Sequence, residues 1–325
     1  LTDELGASMS SEGIQAQFPA ISMHCGGATL SFVHAWPSTF NIGDYLSSPR
    51  HYFDFKCHSP SESGFSRILI LGGGAFNDFG AYASSLVESD RKVAWGVGQS
   101  IQPLNGFGEL SSSIPTDFSF FGSRDRALAV SNSTLVPCAS VMGDIVDILP
   151  GTALGVFLNQ NPAASGQAVL DVLSTIEPNA IVGTNSMSEP EFRSKFALTG
   201  KIVTNSYHVA YWGLLSGRQV GLIGYSSKFT SLFDLLELPA DVTHYQRGDA
   251  AGLSGAIKRV LNGELFSCLA SPTETKLAFR QTNISYAERL VAAGLFREID
   301  PLDQSNIHRR RRELEVWRAY SLLRR

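Results

Sequence analysis

The stretch KIVTNSYHVAYWGLLSGRQVGLIGYSSKFTSLFDLLE (residues 201–237) decides the fold class. Its apolar run at 201–207 reads as a strand, 208–216 as a helix, 218–226 as a second strand and 228–237 as a second helix. Short continuous apolar runs alternating with helical stretches predict a parallel sheet covered on both faces, where a strand has no solvent side to keep polar. Upstream, TALGVFLNQ (152–160) and AIVGTNS (180–186) read as strands, with helices over 165–176 and 188–198. Earlier still come ATLSFVHAW (28–36), RILILGGG (67–74), VAWGVGQS (93–100), FSFFGSRD (118–125) and TLVPCASVM (134–142), with helices expected over 43–54 and 77–89. Pro150-Gly151 interrupts the alternation, which places a boundary near 143–151. The expectation is an α/β chain of two domains with a cleft between them: 1–147 as an N-terminal α/β domain and 148–325 as a C-terminal one. Three terminal helices are expected at about 249–262, 272–294 and 302–324, and the Ser- and Gly-rich residues 1–27 read as loosely ordered.

Composition narrows the function classes. Of 325 residues, 43% are hydrophobic and 17% charged, which excludes wholesale disorder. A net charge of −4 argues against a general nucleic-acid binder, whose affinity needs phosphate neutralisation. Cys25, Cys57, Cys138 and Cys268 show no CxxC spacing and read as buried thiols of a cytoplasmic protein. No run is long and apolar enough for a membrane span, and the start shows no signal-peptide pattern. Residues 301–325 carry Arg309–Arg312, Arg318, Arg324 and Arg325 against Asp303, Glu313 and Glu315. Two readings of that tail stand: a peripheral contact with anionic headgroups at the inner face of the plasma membrane, or a solvated helix docked on the body.

Four constellations lie where ligands of open α/β sheets bind, just past the strand ends. Gly72-Gly73-Gly74 follows a strand, but Asn77 stands where a dinucleotide fingerprint wants its third glycine, and the next strand ends in Gln99 and Ser100 rather than an acid. A phosphate- or sugar-contacting loop and a plain tight turn both remain open for it. Asn41 and Asp44 follow the first strand, either as helix-capping residues or with Asp44 as a carboxylate that orients or deprotonates a sugar hydroxyl. Arg124, in Ser123-Arg124-Asp125, suits a carboxylate or phosphate, against the plainer reading of a local ion pair. His208 opens a helix beside Thr204, Asn205 and Ser206, and Lys228 occupies the matching edge of the next strand. The remaining histidines form no metal-binding spacing, and no GxSxG or Walker A pattern is present.

The succession N-x-G-D (41–44), GGG-x-F (72–76), VAWGVG (93–98), S-R-D (123–125), I-V-T-x-S-x-H (202–208) and Y-x-x-K (225–228) resembles the polysaccharide pyruvyl transferase family over about residues 28–290. The resemblance implies a GT-B-like fold of two Rossmann-type domains. It implies transfer of pyruvate from phosphoenolpyruvate, as a ketal, onto a sugar of an exopolysaccharide or its lipid-linked precursor, with no cofactor or metal. By it, His208 is the general acid and Asp44 the base, while Asn41, Gly72, Gly73, Gly74, Arg124, Ser206 and Lys228 bind substrate. Ser206 stands where many members carry Arg, a departure that removes one cation from the anion site. The rival is a GT-B nucleotide-sugar glycosyltransferase of polysaccharide biosynthesis, in which Glu189 or Glu191 would close a ribose pocket.

Overall fold

A computed structural model describes residues 21–34, 40–77, 81–102, 118–126, 133–159, 177–239 and 241–312. The strands are β1 (Ile21–Cys25), β2 (Ala28–His34), β3 (Phe53–Lys56), β4 (Arg67–Gly72), β5 (Arg91–Val97), β6 (Phe120–Ser123) and β7 (Ser133–Leu135). They continue as β8 (Ala153–Leu158), β9 (Ile181–Thr184), β10 (Thr199–Thr204), β11 (Gln219–Gly224), β12 (Thr243–His244) and β13 (Glu298–Pro301). Helices are α1 (Ile42–Leu46), α2 (Pro60–Ser63), α3 (Ala81–Leu86), α4 (Glu189–Leu198), α5 (Tyr207–Leu215), α6 (Ser227–Leu235), α7 (Ala250–Asn262) and α8 (Pro272–Ala292). Residues 304–312 are helical as well.

Two separate sheets form. The first has the order β1-β2-β4-β5-β6-β7 and is parallel except for the β1–β2 hairpin; the second, β12-β11-β10-β8-β9, is parallel throughout. The sheets change over between Leu135 and Ala153, which brackets the interruption at Pro150-Gly151. β4 and β11 are buried over their last five residues, as doubly covered strands must be. All nine residues of α5 are buried, the state of a helix that is apolar all round.

The end of the chain returns to the first sheet. In α8, Tyr286 Oη donates to the Ala94 carbonyl at 2.8 Å and Asn283 Oδ1 accepts from Trp95 Nε1 at 2.7 Å. β13 then pairs antiparallel with β3. One apolar core runs through residues of both sheets, from Phe32 and Trp95 to Phe157 and Trp212. Among the described residues no helix is long and apolar enough to cross a membrane.

Several expected elements change type. The helix over 43–54 stops at Leu46, where the Tyr52 hydroxyl donates to the Leu46 carbonyl, and His51 Nε2 lies 2.7 Å from the Tyr45 carbonyl. Phe53 and Phe55 then alternate inward against Asp54 and Lys56, which makes β3. The strand over 134–142 ends at Leu135; past Pro137, which lacks an amide N–H, the chain winds into 3-10 turns at Ala139–Met142 and Asp144–Asp147. Within the leading segment expected to be loose, residues 21–25 form the edge strand β1. The expected helix 165–176 and the tail beyond 312 lie outside the described residues.

Candidate functional site

The carboxyl ends of both sheets face one another. Across the junction, Ile42 N donates to the Asn185 carbonyl at 2.7 Å, and Ser227 N to the Ile101 carbonyl at 2.8 Å. Ser100 Oγ meets Ser226 Oγ at 2.9 Å, and Ser227 Oγ accepts from Ile101 N at 3.0 Å. The turns after β2, β5, β6 and β7 therefore meet the turns after β9, β10 and β11.

In that junction His208 Nδ1 lies 3.9 Å from Asp44 Oδ1, and its Nε2 lies 3.6 Å from Cys138 Sγ. Gly43 has no side chain because the imidazole occupies the space: a Cβ there would overlap His208 Nδ1 and sit 2.6 Å from Cγ. The Arg124 guanidinium lies over the Tyr207 ring, 3.8 Å from its centroid. Arg124 is 2% exposed, yet among the described residues its Nε and Nη1 have no hydrogen-bond partner, nor do Asp125 Oδ1 and the Tyr207 hydroxyl beside it. Four unsatisfied polar atoms on three buried neighbours are a concentration that native interiors avoid unless something else binds there.

Electrostatics follow the burial. Desolvation, then the charges of Arg124 and Lys228, hold the His208 imidazole well below its usual value, so it is neutral near pH 7 in the empty site. Burial opposes the charge on Arg124, but Tyr207, Cys138, Asp125 and Asp44 together outweigh it and the balance is upward. Burial pushes the Asp125 carboxyl up to about 6 against the pull of Arg124 and of the Gln99 N–H, which it accepts at 2.6 Å. Burial likewise raises the Cys138 thiol, so Cys138 and His208 meet as neutral groups rather than as a thiolate–imidazolium pair.

Asp44, Arg124, His208 and Lys228 thus come together, Lys228 with its Nζ donating to the Tyr225 hydroxyl at 2.8 Å. The other expected residues have architectural tasks close by. Asn41 caps α1, its Oδ1 accepting from Gly43 N at 2.9 Å. Gly73 and Gly74 adopt positive φ, and a Cβ on Gly72 would come 2.7 Å from Pro49, so the glycine run makes a tight turn against Ser47–Pro49. The Gly73 N–H is engaged by the Trp95 carbonyl. Ser206 precedes α5, its N–H donating to Thr204 Oγ1 at 3.0 Å. Glu189 is largely buried against Arg311 at 2.7 Å, whereas Glu191 makes an exposed i,i+4 pair with Lys195 at 3.3 Å. In the basic tail, Arg310 binds Asp54 and the Phe53 carbonyl, and Arg311 is buried against Glu189; both dock the helix on the body.

Sequence reasoning missed three neighbours. Tyr207 carried a weak signal as the aromatic between Ser206 and His208, and Asp125 as the partner of Arg124. Cys138 carried none, since its approach to His208 spans 70 residues.

No family model and no curated protein sequence matches the chain. Among solved structures it is similar to spinosyn rhamnosyltransferase SpnG complexed with thymidine diphosphate, at 11% identity and a TM-score of 0.28. That likeness covers 67% of this chain and 63% of the other, so the chain spans less than two thirds of that protein's length. A similarity this distant says nothing about substrate.

Proposed function

We propose that the chain is a GT-B-like transferase that moves pyruvate from phosphoenolpyruvate onto a sugar of an exopolysaccharide or its lipid-linked precursor, as a ketal. The observation that carries the reading is Arg124: a buried cation with two unpartnered nitrogens, beside an acid–histidine pair at facing sheet edges. The motif resemblance to polysaccharide pyruvyl transferases supports the same choice of donor.

In the proposed reaction Arg124 and Lys228 hold the donor's carboxylate and phosphate. A first sugar hydroxyl adds to the central carbon while its proton passes to Asp44, and His208 delivers a proton to the methylene carbon, which becomes the ketal methyl. The second hydroxyl then attacks the same carbon, giving its proton to His208, which the first step left neutral, as the carbon–oxygen bond to phosphate breaks and phosphate leaves with the electron pair. His208 is neutral near pH 7 first through burial and then through the two cations. A donor carrying carboxylate and phosphate would offset them and so raise the imidazole toward the protonated form the reaction uses, against burial, which is the larger cause.

Thermal shift with phosphoenolpyruvate, UDP, GDP and thymidine diphosphate tests the reading, since a ligand of the native state raises the melting temperature. A rise with phosphoenolpyruvate alone supports it. A rise with a nucleotide and none with phosphoenolpyruvate replaces it with glycosyl transfer.

A further inference from the structure

Away from the sheet junction, two cysteines that are 32 positions apart in sequence lie side by side. Cys25 ends the edge strand β1, immediately before the Gly26-Gly27 turn, and Cys57 follows directly on β3. The Cys57 N–H donates to Cys25 Sγ at 2.8 Å, and the Cys25 thiol donates to the Phe55 carbonyl at 3.2 Å. The backbones are in contact as well: a Cβ on Gly26 would fall 2.6 Å from the Cys57 carbonyl oxygen. The Cys25 sulfur thus lies against the backbone of its partner cysteine, the proximity on which a disulfide depends. The other cysteines are elsewhere, Cys138 beside His208 and Cys268 exposed.

We propose that Cys25 and Cys57 form a covalent modification site that closes to an intramolecular disulfide by exchange with a small disulfide such as oxidised glutathione. The Cys25 thiolate attacks one sulfur of the oxidant, forming a mixed disulfide and expelling one glutathione thiolate. The Cys57 thiolate then attacks the Cys25 sulfur and expels the second. Two protein thiols are oxidised and one glutathione disulfide is reduced to two thiols, with protons conserved. Cys25, at the end of the edge strand, is uncovered first and so reacts first, while burial pushes the Cys57 thiol up.

Both sulfurs are shielded in the closed fold, but access comes through β1. It is an edge strand, and Ser22, His24, Gly26 and Gly27 around Cys25 are exposed, so local fraying uncovers the thiol without global unfolding. The bridge would enclose residues 26–56, the segment that carries Gly43 and Asp44, and would fasten β1 to β3 and through it to β13.

The test counts thiols on the full chain. Reduced protein, denatured, should titrate four thiols; after equilibration with oxidised glutathione, and equally after refolding from urea in a glutathione redox buffer, it should titrate two. Proteolytic mapping should recover the Cys25 and Cys57 peptides joined, and the oxidised form should melt several degrees higher. Cys25→Ser and Cys57→Ser should each keep three thiols under both treatments and show no such rise. Four thiols in wild type after refolding, where burial presents no kinetic barrier, would overturn the proposal. So would a bridge that joins Cys138 or Cys268.

Discussion

The guanidinium of Arg124 rests on the ring of Tyr207, 3.8 Å from carbon to centroid, and two of its nitrogens have no partner among the described residues. The aromatic face steadies the charge without consuming its donors, so the N–H groups stay available to an anion. Arg124 leaves the end of β6 and Tyr207 opens α5, so the contact joins the first sheet to the second.

Removing the charge should therefore cost affinity. Arg124→Ala should weaken phosphoenolpyruvate binding more than tenfold, a charge-assisted contact being worth about 1.5–3 kcal/mol. Tyr207→Phe keeps the aromatic face and should bind within a few-fold of wild type, whereas Tyr207→Leu should approach the Arg124 variant. Calorimetric titration of the three variants checks this order.

His208 should matter to turnover more than to binding. His208→Ala and His208→Gln should lose about 10²–10⁴-fold in kcat, with a smaller change in donor affinity, because proton transfer acts in the transition state. Near wild-type kcat in either variant would leave His208 as packing above Gly43.

Gly43→Ala tests position rather than chemistry. The added methyl would meet the imidazole at its ring atoms and its Cβ, so His208 must move. Expected are a loss of at least tenfold in kcat and about 1–3 kcal/mol in stability, read from steady-state rates and urea unfolding.

Acid stability should carry two opposed contributions. His208 is held below its usual value when folded, so below about pH 6.5 the unfolded chain takes up a proton the folded chain refuses, and stability is lost as pH falls. Asp125, raised to about 6 when folded, binds a proton that the unfolded chain releases between roughly pH 6 and 4, so its contribution improves as pH falls through that window. Asp125→Asn removes a cost of up to about 3 kcal/mol at neutral pH and should be more stable than wild type at pH 7.5, with the advantage gone by pH 4. His208→Gln should flatten the loss below pH 6.5. Urea titrations at pH 4.5, 6.0 and 7.5 separate the two.

Arg218 should be the most costly residue to remove outside the site. Fully buried, it donates to the carbonyls of Ile148, Leu149, Phe196 and Thr199 and so ties the segment before β8 to the second sheet. Arg218→Ala opens a void and takes the side-chain donor from the Ile148 and Leu149 carbonyls, while Thr199 and Phe196 keep other donors, and should destabilise by about 3–5 kcal/mol, measured by urea unfolding.

The parallel strands were legible because their determinant is local. A doubly covered strand must be apolar along its length, and the runs at 67–72, 93–97, 153–158, 201–204 and 219–224 state that without reference to anything distant. That Arg124, His208 and Lys228 would lie near the carboxyl edges of the sheets was legible for a related reason, since residues soon after such runs fall there whatever the rest of the chain does; Asp44, ten residues past β2, comes to His208 through the tertiary fold. Which of the neighbouring residues serve the architecture was legible only in part. The cap that Asn41 makes is local and was among the readings open in the sequence, but Gly43 as the space under an imidazole and the glycine run as a turn against Pro49 depend on what lies opposite, and that partner comes from another part of the chain. The same holds for β3, which waits for β13 to arrive from 242 residues further on, and for Cys138 beside His208. Local sequence sets the periodicity of burial and therefore the elements. Contacts between elements distant in the chain are settled only when those elements compete for one apolar core, so the pairing of Tyr207 with Arg124, and the protonation state of His208, belong to the tertiary structure.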